Sequence, residues 1–582
     1  MASVNENEKA LVNHDLEAGA TTNPQKMVDI SPLNSNESAF DPHEAPVPFY
    51  DYSSRRESRA DIRRRLSTIS VYQTVEEQQT IADVLAKRTV DESKPMPNMG
   101  GGRSFPPSLP DQDRYRVAFD GPEDARHPFN WSSKRKAVIG VSLSLVTFTS
   151  AWGSSVFSPT VNEIARIYQV KPVVASLGVS LYVLGFASGP IIWSPLSELY
   201  GRKPPIVVSL LMFTCFSFAC ATAKDLQTII ITRFFTGLSG SSPLTLVAAI
   251  FADMFSNEGK VTRGIAIDIF AMAVFAGPMV SPIVGGFVVQ SYLGWRWTMY
   301  LTGFLGALSL ILVVFFVEET YAPLILVDKA QDIRERTGNW GVHAVHEHVR
   351  IDLHEIVSNT IARPIKMLFS EPIILMIAIY NGFTYLILYL CLSSYPYTFV
   401  GKYKWSLGKA MLPYIGILIG EFISCIVMVF YFEPKYTKAD KEGLATPEMR
   451  LAPVLLAALV FPIGLFWFFW SANYAEHCHW IVPTLSGLFT GYGLMGILVP
   501  SINYIVDSYL FFAASALASV TLLRSLFGAS APLFATYMFE GIHLNWSGLL
   551  LGLVAVGLAP VPFAFYKLGA RIRGKSKYAF TD

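Results

Sequence analysis

The sequence predicts an all-α integral membrane protein built from two pseudo-symmetric six-helix bundles, and three observations carry that prediction. The 582 residues are 52% hydrophobic and only 16% charged, with a mean hydropathy of +0.38, far more apolar than an ordinary soluble domain. Apolar stretches of about 18 to 25 residues recur from Ala137 onward, each long enough to cross roughly 30 Å of hydrocarbon at 1.5 Å per residue. The second half also echoes the first. Asp253 and Asp507 close the fourth and tenth stretches, Pro278 and Pro532 lie in the fifth and eleventh, and both pairs have the same separation in sequence. A duplicated six-helix unit produces that pattern.

Residues 1–125 are rich in Ser, Asn, Glu, Arg and Pro without periodicity and are expected to form a disordered tail. They hold no apolar core long enough for a signal peptide, so the first span is expected to act as its own insertion signal. Two Arg-Arg-x-Ser patterns, RRES ending at Ser58 and RRLS ending at Ser67, fit basophilic kinases, whose phosphate would act through local charge. An N-terminal bundle over 126–317 is expected to hold spans near 137–160, 173–195, 205–223, 227–250, 264–289 and 298–317. A polar central loop, 318–371, separates it from a C-terminal bundle over 372–566, with spans near 373–399, 410–432, 452–472, 480–505, 512–538 and 546–566. Residues 567–582 form a second tail.

Orientation follows from lysine and arginine. Loops on the side of the termini hold roughly 22 of them and the opposite loops about 7, which places both termini in the cytoplasm. The net charge of +1 gives no reason to expect a nucleic-acid partner, because the signs are segregated along the chain. Cys215, Cys220, Cys391 and Cys425 lie in apolar spans and only Cys478 in a loop, so no disulfide framework is expected.

The loop between spans two and three reads SPLSELYGRKPPI, residues 194–206. It resembles the major facilitator superfamily motif G-x-x-x-D-R-x-G-R-R, with Glu198 at the acidic position, Gly201 at the turn, and Arg202 and Lys203 at the basic pair. Ser194 and Leu199 depart from it. The resemblance implies the major facilitator fold and a cytoplasmic latch joining Glu198 and Arg202 to Asp253. In span five, AVFAGPMVSPIVGG resembles the G-x-x-x-G-P-x-x-G-G motif of antiporters, with Gly277 and Pro278 as a hinge and the glycine pair displaced to Gly285 and Gly286. In span four, RFFTGLSG resembles an R-x-x-x-G motif tied to proton transfer, with Arg233 as its charge.

HPFNW (127–131), EETYAPLIL (318–326), RPIKMLFSEP (363–372) and KSKY (575–578) together look like the fungal twelve-span drug:proton antiporters. Within these the chain is most similar to yeast plasma-membrane exporters of polyamines and multiple drugs. The resemblance implies proton-coupled export, through the plasma membrane, of polyamines such as spermidine and spermine or of amphipathic drugs such as azoles. Protons and membrane lipids are then the other partners, the protein is a monomer, and no cofactor is called for. The polyamine exporters are associated with acids near the membrane boundary, for which Asp225, Glu318 and Glu319 are the candidates. A proton-driven importer of a small organic solute and a transport-inactive nutrient receptor remain alternatives.

Ionisable groups inside spans are functional candidates because their burial is expensive. Asp268 in span five, Glu421 in span eight, Arg233 and Arg524 are such groups. By analogy with the superfamily fold, spans five and eight face each other, and residue counting puts the two carboxylates roughly 6 Å apart in depth, close enough to share a vestibule where proton and cation compete. Asn381, Tyr385 and Tyr389 recur at intervals of four and share one helix face. With Asn503 and Tyr504 they are candidate cavity residues, whose rings suit apolar drugs or cations. HAVHEH (343–348) reads as an amphipathic surface helix rather than a metal site. No nucleophile elbow or phosphate loop is present, so the chain is not expected to be an enzyme.

Overall fold

The computed structural model describes residues 115–121, 123–255, 260–337, 341–348, 362–509 and 512–579, with only the backbone for 260–266. Ser58 and Ser67 lie outside the described residues. Among the described residues, twelve stretches are long and apolar enough to cross a membrane, each built on one main helix. We label them α1 (Ser133–Ser155), α2 (Pro172–Tyr200), α3 (Lys203–Thr222), α4 (Leu226–Met254), α5 (Lys260–Gln290), α6 (Arg296–Phe316), α7 (Pro372–Pro396), α8 (Tyr414–Val427), α9 (Ala452–Asn473), α10 (Ile481–Ser508), α11 (Ala513–Gly541) and α12 (His543–Leu558). With an even number of spans, the first and last described residues lie at one end of the bundle, here called the terminal end; the other is the far end.

Local chemistry sets the helix starts. Ser132 accepts the Arg135 N–H at the start of α1, and Asp225 accepts the Thr228 N–H at 2.8 Å at the start of α4. Pro172 and Pro372 open α2 and α7, where the missing N–H costs nothing. Gly201 takes φ +87° between α2 and α3, a conformation that disfavours any side chain, and a Cβ there would also strike the Glu319 carboxylate.

The halves pack alike. A Cβ at Gly185 of α2 would lie within 3 Å of the α4 backbone, and one at Gly420 of α8 within 3 Å of the α10 backbone. Small residues thus let the second and fourth helices of each half touch main chain to main chain. Between the halves, α2 packs on α11 and α5 on α8. Hydrogen bonds joining the halves gather at the far end: Ser158 Oγ to the Leu392 carbonyl (2.9 Å), Ser176 Oγ to the Pro532 carbonyl (3.4 Å) and the Gly408 N–H to Gln290 Oε1 (3.0 Å).

The polar segments depart from expectation. The tail ends before residue 125: Tyr115 and Val117 are buried on Ala330, Ile333, Val342 and Ala344, and across the bridge at Arg116 the Val117 N–H donates to the His343 carbonyl and the His343 N–H to the Tyr115 carbonyl. Two apolar residues packed on a helix and the strand-like segment after it carry no periodicity, so this strap was invisible in the sequence. The central loop holds a surface helix, Ala322–Thr337. HAVHEH is no amphipathic helix: His343 is bridged, and Val345–His348 is one 3-10 turn pinned by Arg334 on Glu347 (2.6 Å) and by His346 on the Leu199 carbonyl (3.3 Å). The C-terminal tail is docked as well. Helix Pro560–Arg573 ends in an ion pair from Arg573 Nε to Glu448 (2.9 Å), and Tyr578 meets Phe512 edge to face.

Candidate functional site

Arg233 enters α4 from the far end and lies 1% exposed. It does not reach for the surface. Nε donates to the Gly178 carbonyl at 2.8 Å, Nη1 to Gly153 at 2.7 Å and Nη2 to Ser154 at 3.4 Å. The guanidinium also sits 4.3 Å over the Tyr182 ring and 5.0 Å over Phe157. A planar fork of donors suits three fixed carbonyls as an ammonium would not. Tyr182 is held by its own bond to the Ser150 carbonyl at 2.7 Å. The sequence reading overlooked this tyrosine, because nothing in a single apolar span marks one ring as the lid of a distant arginine.

Across the interface, Tyr389 of α7 is within reach of Ser154 and of Tyr182. Its hydroxyl lies 3.5 Å from that of Tyr385, whose ring in turn lies 4.8 Å beneath the Arg524 guanidinium. A row of Arg233, Tyr182, Tyr389, Tyr385 and Arg524 therefore crosses from one half to the other. Asn381 is fully buried on the same face of α7, with neither side-chain atom hydrogen-bonded.

Glu421 is 0% exposed, and neither carboxylate oxygen has a hydrogen-bond partner. Asp268 is also buried, yet the two do not share charged neighbours. Asp268 lies within electrostatic range of Glu433 and Arg450, and the side chain of Cys425, four residues on from Glu421, lies against its backbone carbonyl at 3.9 Å. Cys425 is about one helical turn along α8 from Glu421, so the Asp268 backbone meets α8 one turn nearer the terminal end than Glu421. Asn503 is half-buried. Tyr504 is likewise placed elsewhere: it lies within electrostatic range of Glu448 and Arg573 at the terminal end, with its hydroxyl beside Gly569.

Gly277 and Pro278 lie within an unbroken α5. A Cβ at Gly277 would stand 2.7 Å from the Cβ of Ala151 and from the Trp152 nitrogen, so the glycine permits close contact with α1.

At the terminal end Arg202 Nε pairs with Asp253 at 3.0 Å, and its guanidinium covers Tyr321 at 4.7 Å. Glu198 is not the acid of this cluster. It is exposed and has no ion-pair partner among the described residues, because the turn at Gly201 offers its N–H groups to Glu319 instead. That carboxylate accepts the backbone N–H of Arg202 (2.8 Å) and of Lys203 (3.0 Å), capping the positive start of α3. Lys203 Nζ binds the Val314 carbonyl. The other boundary acids are engaged structurally too, Glu318 by Arg135 and Asp225 as a helix cap. The C-terminal half repeats the arrangement: Arg450 Nε pairs with Asp507 at 3.0 Å and covers Tyr436 at 3.5 Å, with Glu433 as a second acid.

Two six-helix halves thus carry paired ion-pair clusters at one end, hydrogen bonds between them at the other and buried charges in the middle. A model of the Major Facilitator Superfamily matches residues 143–532, and the chain belongs to that family. It is 48% identical over 530 residues to the multidrug transporter TPO1_2 of Candida glabrata, covering 91% of this chain and 89% of the relative. It is 47% identical to the multidrug transporter FLU1 of Candida albicans, covering 92% and 86%. The fold matches the partially occluded, inward-open xylose transporter XylE of E. coli with a TM-score of 0.55, 17% identity and coverage of 75% and 98%.

Proposed function

We propose that this chain is a proton-coupled antiporter that exports amphipathic drugs across the plasma membrane by alternating access, with both termini in the cytoplasm. The observation that carries the reading is Glu421, a fully buried carboxylate with no partner on either oxygen. An ionised carboxylate in such a site is costly, so the group is neutral with a proton or charged beside a cation, and those two states exclude each other. That exclusion is the essence of antiport. Asp268, nearer the terminal end, relays between Glu421 and the aqueous side, and Arg233 and Arg524 bias the exchange through the tyrosine row. The names of the Candida relatives favour drugs as cargo.

Polyamines rank behind amphipathic drugs. A polycation needs several acids along its length, whereas the embedded carboxylates are two, with two arginines nearby. The acids Asp225, Glu318 and Glu319 are already committed to caps and ion pairs. The driving force suffices: one charge crossing 100 mV supplies about 2.3 kcal/mol, and one pH unit about 1.4 kcal/mol. The test is uptake of labelled rhodamine 6G, fluconazole and spermidine into inside-out plasma-membrane vesicles with an acid interior. Accumulation that a protonophore abolishes is expected for the drugs. Uptake indifferent to the gradient, in vesicles containing the protein, would refute antiport.

A further inference from the structure

We propose that Arg524, Asn381 and Tyr385 form a subsite for the carboxylate of an amphipathic organic acid, so that the cavity accepts anionic and zwitterionic cargo as well as cations. The inference rests on the reading of this tyrosine row as lining the transport site. Arg524 lies 11 residues into α11, about 17 Å from the terminal end at 1.5 Å per residue. An arginine at that depth costs several kcal/mol unless its charge is met. Among the described residues it has no ion pair and no hydrogen bond, and its Nε is buried without a partner. Its contact is the Tyr385 ring, 4.8 Å away. Arg233 presents the contrasting case, with carbonyls on all three nitrogens. Arg524 is a donor fork left open.

The second observation is Asn381, whose amide nitrogen and oxygen are both buried and unpaired. Helices α7 and α11 run parallel and in register. A Cβ at Gly528 of α11 would meet Tyr385 and Tyr389, and one at Gly382 of α7 would meet Phe527. One turn back along both helices brings Asn381 level with Arg524, on the helix face it shares with Tyr385. An unsatisfied amide and an unsatisfied guanidinium thus flank one aromatic ring. A carboxylate fits the guanidinium fork with two parallel hydrogen bonds, the amide nitrogen supplies a further donor, and the ring covers the apolar body of the acid. A bare halide would leave the ring and the fork geometry unused.

The experiment is binding to the purified full-length protein in nanodiscs at pH 7.5, followed by intrinsic fluorescence and thermal shift, with benzoate, benzamide and chloride as probes. Benzoate is expected to bind and stabilise, and benzamide, of the same shape without the charge, is not. Arg524→Gln is expected to weaken benzoate by about 10-fold or more. Arg524→Lys keeps the charge but loses the fork and should weaken it as well, and Asn381→Leu provides an independent variant should the arginine changes fail to fold. Equal effects of chloride and benzoate, equal binding of benzamide, or benzoate binding unaffected by Arg524→Gln would each overturn the subsite. No proton gradient enters this measurement, so its failure is separate from failure of antiport in vesicles.

Discussion

The two halves share one helix scaffold and bury opposite charges in opposite ways. The N-terminal half holds a cation, Arg233, whose three nitrogens are met by backbone carbonyls and whose face is met by two rings. The C-terminal half holds an acid, Glu421, with no hydrogen bond on either oxygen among the described residues, and separately Asn381 and the Nε of Arg524, which are likewise without one. A satisfied buried charge braces a structure and resists change, while an unsatisfied one is available to a ligand or proton. In the proposed function the braced Arg233 is the fixed charge of the first half, and Glu421, its proton relayed by Asp268, is the exchanging group of the second.

The sharpest way to break this comparison is one substitution made in both halves. Arg233→Met strands the carbonyls of Gly153, Ser154 and Gly178 and should lower stability by about 3 kcal/mol. Thermal unfolding in detergent reads it, and an unchanged midpoint would remove the bracing role. The latches come next. Asp253→Asn and Asp507→Asn each break a largely buried pair and should slow transport by similar factors, about fivefold, because a pair with some access to solvent contributes on the order of 1 kcal/mol. Vesicle flux checks this, and a strong effect at only one site would show that the duplicated geometry is not duplicated in role. Glu421→Met should be neutral or stabilising by about 1 kcal/mol, since it removes an unmet polar group; a large loss would reveal a hidden partner.

The smallest effect concerns the strap. Burial pushes the Asp124 carboxyl up, but the N–H groups of Asp120 and Arg126 and the charges of Lys329 and Arg126 outweigh it and hold it below the usual carboxylate range. A depressed value means that its contribution is full at neutral pH and is lost as pH falls through the folded value, below about 4. Hydrogen exchange at Ala118–Asp124 should be flat from pH 7 to 5, after correction for intrinsic rates, and should rise below that. Asp124→Asn should remove the dependence.

The fold was legible because the bilayer imposes length and apolarity on each span, and the six-plus-six grouping survives duplication. The Arg202–Asp253 contact was legible through the loop motif although the two stand 51 residues apart. Arg450 escaped because the halves differ in loop length: the separation that relates Asp253 to Asp507 does not carry Arg202 onto it. Glu198 was misassigned because a loop motif gives residue order but not which acid reaches the turn, and Glu319 arrives from the end of α6.

The most direct test of the division of labour is proton release from the purified protein in weakly buffered detergent when rhodamine 6G is added. The wild type should release protons on binding the cation. Glu421→Gln should bind with little or no release, and Asp268→Asn should retain it. Equal release from wild type and Glu421→Gln would place the exchanged proton elsewhere and contradict the account.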